Sequence, residues 1–591
     1  MKLLQLLIHR ERATTASRCR NVCASLPGLC LTIVATILPS AGQSRTAPEV
    51  ISSFLHVRHA AVASDSQVAS AAGARALRAG GNAVDAACAT ALALGVVDPF
   101  ASGLGGGGFA VVYLAKTGTS SALDFRETAP ARLEPTPKDQ RIIIPKQSGL
   151  SVGVPGEPRG LAELVRRFGA LPFSRCIEPA LGLARGFVVS PWLAQQIREE
   201  LDRYPASGPD LVAKLFDLNR AAATQLKAGD RVSRPALAKT LEKMRREGVA
   251  AFYQGPIAKA IVDATTAKGG VMGLADLAGY APVERKPLAS QLLGRQVLTM
   301  PPPSAGGVIV AQALGILSDR IPAMKGSDAP DTLHLVIEAL KHGFADRARY
   351  LGDPGFARLP LDHLLDPAYH RELSARLATD HVLAHEAYGT QIARPPQPAR
   401  DAGTAHISVI DQAGNAVALT TTINLGFGSR IVAGETGILL NDEMDDFTAS
   451  PEERDVFALA GGDANFPAPG KRPLSSMSPT IVVGKGGVEL VTGAAGGPRI
   501  TSATLQILLD VLVFGLDAEQ AVARPRVHHQ WEPDVLFYES GLSADTVQAL
   551  KIKGHHCQTA ADLGKANAIV RTRAGLDAAA DPRSGGAPAG Y

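Results

Sequence analysis

Between Thr404 and Thr422 the chain carries a pattern that admits essentially one local structure. His406-Ile407-Ser408-Val409-Ile410 alternates polar and apolar residues with period two, and Asp411-Gln412-Ala413-Gly414-Asn415 supplies turn chemistry. Ala416-Val417-Ala418-Leu419-Thr420-Thr421-Thr422 then returns as a strand. The reading is a β-hairpin whose open end brings Thr404 and Thr422 together. A second β unit, 481–483 and 488–492, is joined by Gly484-Lys485-Gly486-Gly487. It runs through Gly493-Ala494-Ala495-Gly496-Gly497-Pro498-Arg499 into a helix expected over 501–513.

Upstream of the hairpin the texture is mainly helical. From Asp65 onward Val68, Ala72 and Ala76 recur at helical spacing as far as Gly80-Gly81, and Asn82 is placed to cap a second helix through Leu94. The apolar run 86–97, bounded by Asp85 and Asp98, reads as a buried core helix. The loop Gly103-Leu104-Gly105-Gly106-Gly107-Gly108 leads into a strand over 109–114, and no Gly-Lys-Ser/Thr follows it. It therefore reads as close backbone packing and not as a phosphate cradle. Residues 155–265 are expected to be mainly helical. Pro301-Pro302-Pro303-Ser304-Ala305-Gly306-Gly307 marks a rigid turn before an apolar helix over 308–317, and the Pro-containing stretch 386–403 reads as a connector. Two sheet layers flanked by helices fit this alternation.

Composition narrows the partners. The net charge of +4 arises at the front, where residues 1–42 hold Lys2, Arg10, Arg12, Arg18 and Arg20 against Glu11, so the remainder is neutral. A neutral body has no electrostatic footprint for nucleic acid or anionic lipid. The same 42 residues combine that basic region with an apolar run from Leu26 to Leu38 and the small residues Pro39-Ser40-Ala41-Gly42. This pattern is read as a signal peptide, with export to the periplasm or secretion expected. Beyond it only Cys88, Cys176 and Cys557 remain, distant in sequence and without CxxC spacing, so neither a zinc site nor a disulfide framework is expected.

Several of these segments resemble the gamma-glutamyltranspeptidase family. The resemblance rests on GGNAVDAA (80–87), GLGGGGF (103–109), LDFRETAP (123–130), MPPPSAGG (300–307) and the block 404–447. It continues through KRPLSSMSPT (471–480), TGAAGGPR (492–499), PRVHHQWEPD (525–534) and DPRS (581–584), in one order across the chain beyond the leader. What it implies is an α+β fold, the four-layer αββα sandwich of N-terminal-nucleophile hydrolases. It also implies a precursor that cuts itself before a threonine. Here that is Thr404, preceded by Gly403, giving a large subunit of 43–403 and a small subunit of 404–591 that stay associated as a heterodimer.

On its own a threonine opening a strand is ordinary β structure, but the implied chemistry is self-consistent. A threonine hydroxyl is a poor nucleophile and needs an adjacent base. Cleavage at Gly403–Thr404 frees an α-amine with a reference pKa of about 7.7–8.0, on the nucleophile's own residue. By the resemblance, Thr422 hydrogen-bonds the nucleophile's hydroxyl, and Gly496 and Gly497 form the oxyanion hole between a strand end and a helix start. A γ-glutamyl substrate carries an α-carboxylate and an α-ammonium. The resemblance assigns the carboxylate to Arg126 with Ser475 and Ser476, the ammonium to Glu443 and Asp446, and a further polar contact to Asn424. The implied activity is cleavage of glutathione and other γ-glutamyl compounds through an acyl-enzyme, with transfer to water, amino acids or peptides.

No cofactor or metal is expected. The acidic run 442–446 lacks EF-hand spacing, and the pairs His528-His529 and His555-His556 cannot chelate as units if they lie in strands, where neighbours face opposite sides. Two departures from the family stand out. Ala405 follows the nucleophile where a second threonine is frequent, which bears on self-cleavage rate. Phe457 stands in the lid segment where some members present a tyrosine, which leaves the gate hydrophobic and bears on the balance of hydrolysis and transfer. Two other readings keep the fold: a cephalosporin or glutaryl acylase, and an exported binding protein without catalysis.

Overall fold

The computed structural model describes residues 52–134, 144–145, 147–388, 402–448, 457, 459 and 461–591. The expected leader, most of the 386–403 connector and much of the lid segment lie outside the described residues. The hairpin forms as its alternation dictates, from strands Ala402–Ile410 and Ala416–Leu425. Thr404 pairs with Thr422, and a bulge at Gly403/Thr404 brings Gly403 opposite Asn424. Asp411 closes the turn by accepting the Asn415 N–H at 2.9 Å. The returning strand runs three residues past Thr422 because it is buried on both faces, so no polar–apolar alternation marks its end.

This hairpin occupies the middle of a seven-stranded sheet. The order is Ala589–Gly590, Ala61–Ser64, Ala402–Ile410, Ala416–Leu425, Gly107–Leu114, Thr119–Asp124 and Val283–Arg285. A second seven-stranded sheet packs against it, in the order Phe54–Val57, Leu576–Ala580, Lys565–Arg571, Gly487–Ala495, Thr480–Gly484, Arg295–Thr299 and Leu288–Leu292. Alternation sorts the faces of the Ala402–Ile410 strand. Ala405, Ile407 and Val409 join the apolar cluster beneath the helices Ala83–Val97 and Phe173–Ala184. Ser408 turns inward, its hydroxyl within hydrogen-bond distance of both the Val491 and Asn567 carbonyls of the opposite sheet. Helices Ala305–Leu317 and Arg499–Leu512 cover the outer face of the second sheet. The four layers are those of an αββα sandwich.

Local signals set several boundaries. Asn82 and Asp85 form a reciprocal cap, Asn82 Oδ1 accepting from the Val84 N–H at 2.9 Å and Asp85 Oδ2 from the Asn82 N–H at 2.8 Å. The helix they open, Ala83–Val97, is buried throughout, as its apolar run predicts. The preceding helix begins at Gln67 and not at Asp65, whose carboxylate is drawn away to accept the His406 N–H. In the glycine loop, a Cβ on Gly106 would stand 2.1 Å from the Thr422 carbonyl oxygen. The loop is close packing, and it holds the end of the hairpin. Cys88 and Cys176, far apart in sequence, meet where their two helices pack, both buried and both free thiols. Among the described residues no helix is long and apolar enough to cross a membrane.

Candidate active site

At the open end of the hairpin three oxygens fall into line. Thr404 Oγ1 lies 2.9 Å from Thr422 Oγ1, and Thr422 Oγ1 donates at 2.9 Å to the carbonyl oxygen of Gly403. The Asn424 N–H donates back to Thr422 Oγ1 at 2.9 Å. Thr422 has one hydroxyl proton, and the Gly403 carbonyl takes it, so the Thr404 hydroxyl is the donor in the first contact. The result is a directed relay from the Thr404 hydroxyl, through Thr422, to the carbonyl of the peptide bond that precedes Thr404. Thr404 itself is 9% exposed, just open to the cavity beside it.

That cavity, of about 20 Å³, is lined by Arg126, Thr404, Thr422, Asn424, Glu443, Asp446, Phe457, Ser475, Ser476 and Gly497, with Arg347. The acids are anchored from below. Glu443 and Asp446 sit on one 3-10 turn, and the Glu443 N–H donates to Asn441 Oδ1 at 3.0 Å. Asn441 Nδ2 in turn donates to the carbonyls of Gly105 and Gly153, tying the turn to the glycine loop. Ser475 is held by the Pro-rich turn: its N–H donates to the Pro303 carbonyl at 2.8 Å, and its carbonyl accepts from the Ala305 N–H at 2.7 Å. Gly496 and Gly497 have φ of 128° and 61° between the Gly487–Ala495 strand and the Arg499–Leu512 helix, a turn that disfavours any side chain. Gly497 reaches the cavity, where the Phe457 ring covers it; Gly496 lies behind, against Gly564.

Arg126 sits in the opposite wall, 1% exposed. Its Nη1 donates to Glu443 Oε1, its Nη2 to Asp446 Oδ2, and its Nε to the Pro473 carbonyl at 3.2 Å. The groups expected to grip opposite ends of a substrate therefore grip each other here. Burial works against the Arg126 charge, but Glu443, Asp446 and Glu127 outweigh it and push its pKa up. Burial raises Glu443 and Asp446, with Arg126 pulling both back. Glu127 is also raised, by burial and by Glu443, and its carboxylate lies 3.9 Å from Arg126 Nη1.

Sequence reasoning missed Arg347, Asn441 and Glu127. Arg347 lies within the helix Pro330–Tyr350, where its spacing reads as an ordinary helical position. Glu127 follows Arg126 in a motif already singled out, and that adjacency was the available signal. The histidines are spent elsewhere. His528 bonds Ser502 and Gln530, and His529 lies 3.2 Å from Asp534. His334, Glu338 and His555 place potential ligand atoms within 4.8 Å of one another. His334 Nδ1 bonds His555 Nε2 at 2.8 Å, and Glu338 accepts from Lys341, Leu383 and Tyr388.

A family model described as gamma-glutamyltranspeptidase matches residues 69–591. The glutathione hydrolase proenzyme of Escherichia coli (strain K12) is 38% identical over 575 residues, covering 95% of this chain and 97% of that protein. The glutathione hydrolase proenzyme of Pseudomonas aeruginosa is 38% identical over 538 residues, covering 89% and 93%. Among solved structures, a cephalosporin acylase from Bacillus halodurans superposes with a TM-score of 0.79 at 27% identity, over 93% of this chain and 98% of that one.

Proposed function

The chain belongs to the gamma-glutamyltranspeptidase family, and on that premise we propose that it is a self-processing glutathione hydrolase and gamma-glutamyltransferase. In self-cleavage the Thr404 hydroxyl attacks the Gly403 carbonyl carbon, its proton passes through Thr422 to the Gly403 oxygen, and a proton moves to the Thr404 nitrogen as that nitrogen leaves. The Gly403–Thr404 C–N bond breaks as the ester to Thr404 forms, and water then releases the Gly403 carboxylate. The freed α-amine of Thr404 becomes the base for turnover. The substrate's γ-carbonyl carbon is attacked next, its oxyanion faces the Gly496–Gly497 turn, and the amine returns the proton to the leaving nitrogen. Water, an amino acid or a peptide resolves the γ-glutamyl ester. The large and small subunits remain a heterodimer because Ile407–Ile410 stays paired with Ala61–Ser64 and Ala416–Thr422 with Gly107–Tyr113, each pairing joining the small subunit to the large.

One observation carries this reading: the Thr404–Thr422–Gly403 oxygen relay opens onto the same small cavity as Arg126 and its two acids. Intact mass of purified protein tests it. The wild type is expected as two fragments, the smaller beginning at Thr404, and Thr404→Ala as one inactive chain. A wild type that stays whole, or a Thr404→Ala chain that still cuts, overturns the assignment; an uncut wild type is also what a silent binding protein would give. We also propose export, from the pattern of residues 1–42. The same spectrum tests it, because the large fragment should then lack those residues. The acylase reading is the weaker one, since a glutaryl side chain has no ammonium to meet Glu443 and Asp446.

A further inference from the structure

Thr404 is a wall shared by two cavities. Opposite the substrate pocket lies an enclosed space of about 10 Å³, lined among others by Asp65, Asp98, Trp192, Thr404, Lys565 and Ser584. That volume is close to what a single water needs. The Thr404 hydroxyl is engaged with Thr422, and the His406 N–H, two residues on in the same strand and so on the same edge as the Thr404 nitrogen, donates to Asp65 of this second cavity.

Two carboxyl groups meet there. Asp65 is well anchored, its Oδ2 accepting the His406 N–H at 3.0 Å and its Oδ1 the Asn567 amide at 3.1 Å. Asp98, at the end of the Ala83–Val97 helix, is 4% exposed, and its Oδ2 has no hydrogen-bond partner among the described residues. Burial pushes Asp65 up to about 6 and Asp98 well above the ordinary carboxyl range, with Asp65 adding to the latter. The charged groups around them are Lys565 within the lining, Asp581 beside Asp65, and Asp562 at 3.5 Å from Lys565 Nζ. A buried carboxyl oxygen left without a donor, beside a second carboxyl, is unfavourable in a resting fold. It has a use next to a group that becomes cationic during turnover.

We propose that Asp98, with Asp65 behind it, is the positioning residue for the α-amine that self-cleavage creates on Thr404, holding that amine through one water while it carries the nucleophile's proton. The inference rests on Thr404 being the self-generated nucleophile. As the substrate ester forms, the proton leaves Thr404 Oγ1 for the amine; as the substrate C–N bond breaks, it leaves the ammonium for the departing nitrogen. Asp98 enters no covalent bond. Burial favours the neutral form of Asp98 until a cation appears beside it; the ammonium stabilises the carboxylate, which then fixes the direction of the ammonium's N–H groups.

The test uses the full chain with Asp98→Asn, and Asp98→Glu as the conservative rescue; Asp98→Ser carries the same readings if Asn is not accommodated. Intact mass reports self-cleavage, and turnover of L-γ-glutamyl p-nitroanilide is followed between about pH 5 and 9. Asp98→Asn is expected to cut itself and to keep KM within about 2-fold while kcat falls at least about 10-fold. The acid limb of kcat/KM, set by the amine together with the raised carboxyls Asp65 and Glu443, should move to lower pH in Asp98→Asn, because the ammonium has lost its carboxylate while those two groups are unchanged. Asp98→Glu should recover part of kcat and return the limb. An unmoved limb, whether or not kcat falls, overturns the proposal, as does an Asn variant that stays uncut while the Glu variant cuts. If the wild type yields no fragment beginning at Thr404, the functional reading fails first. A wild type that is cut and active beside an unaltered Asp98→Asn sinks this inference alone.

Discussion

Removing only the α-ammonium from the substrate should expose how the cavity chooses its ligand. One guanidinium, Arg126, satisfies two buried acids, Glu443 and Asp446. When a substrate carboxylate takes the Arg126 fork, those acids lose their partner, and the ammonium of a γ-glutamyl group replaces it. A glutaryl group brings the carboxylate without the replacement, so three negative groups crowd one cation. Depriving a buried ion pair of one member costs about 3–5 kcal/mol, which is about 10²–10⁴-fold in kcat/KM. Arg347 lowers Asp446 electrostatically from the cavity wall and so compensates in part, which favours the lower end. The assay compares L-γ-glutamyl p-nitroanilide with glutaryl p-nitroanilide, which release the same chromophore. The sign with pH also follows: burial has raised Glu443, so it protonates early as pH falls and then needs no cation, and the preference should narrow toward acid. A ratio below about 10 at neutral pH would refute the idea that these acids read the ammonium.

Three further outcomes follow from the same geometry. Thr422→Val keeps the shape of the side chain but leaves the Thr404 hydroxyl and the Asn424 N–H without their acceptor; at about 1–3 kcal/mol, self-cleavage should slow about 5- to 150-fold, read as loss of the uncut band with time. Gly106→Ala drives a methyl to 2.1 Å from the Thr422 carbonyl, so a residue outside the site should lower stability by about 1–3 kcal/mol and slow cutting together; normal cutting would show that the loop does not hold the hairpin. Burial holds His406 down to about 3, so the unfolded chain takes up a proton near its ordinary value of 6.5 that the folded chain refuses. Stability from this group is present above pH 6.5 and drains as pH falls toward 3, by about 2 kcal/mol at pH 5. Asp65, raised to about 6, acts with the opposite sign, so the informative quantity is a difference: His406→Gln should shrink the loss between pH 7 and 5 in urea unfolding, and an unchanged loss would contradict the assignment.

The parts legible in the sequence are those written in local periodicity or in a glycine's exclusion of a side chain. Period two announced the hairpin and therefore the meeting of Thr404 with Thr422, because a hairpin fixes its own register. Asn82 announced a helix start, because its cap partners lie within three residues. Long-range meetings left no such trace. Nothing near Arg126 shows that its guanidinium will lie between Glu443 and Asp446, more than 300 residues away, nor that Asp98 and Asp65 will face the back of Thr404 from two different elements. Those meetings come from strand order, which no single segment encodes. The same strand order explains how a fold can survive cutting itself. Ala402–Ile410 is hydrogen-bonded to Ala416–Leu425 on one side and Ala61–Ser64 on the other. A break before Thr404, as proposed above, would leave the pairing from Ala405 to Ile410 in place, so the new terminus would be created already aligned between the Arg126 cavity and the carboxyls of the second one. Thr422 and the paired strands would thus hold Thr404 both before and after the proposed cut, with only the Gly403 link given up.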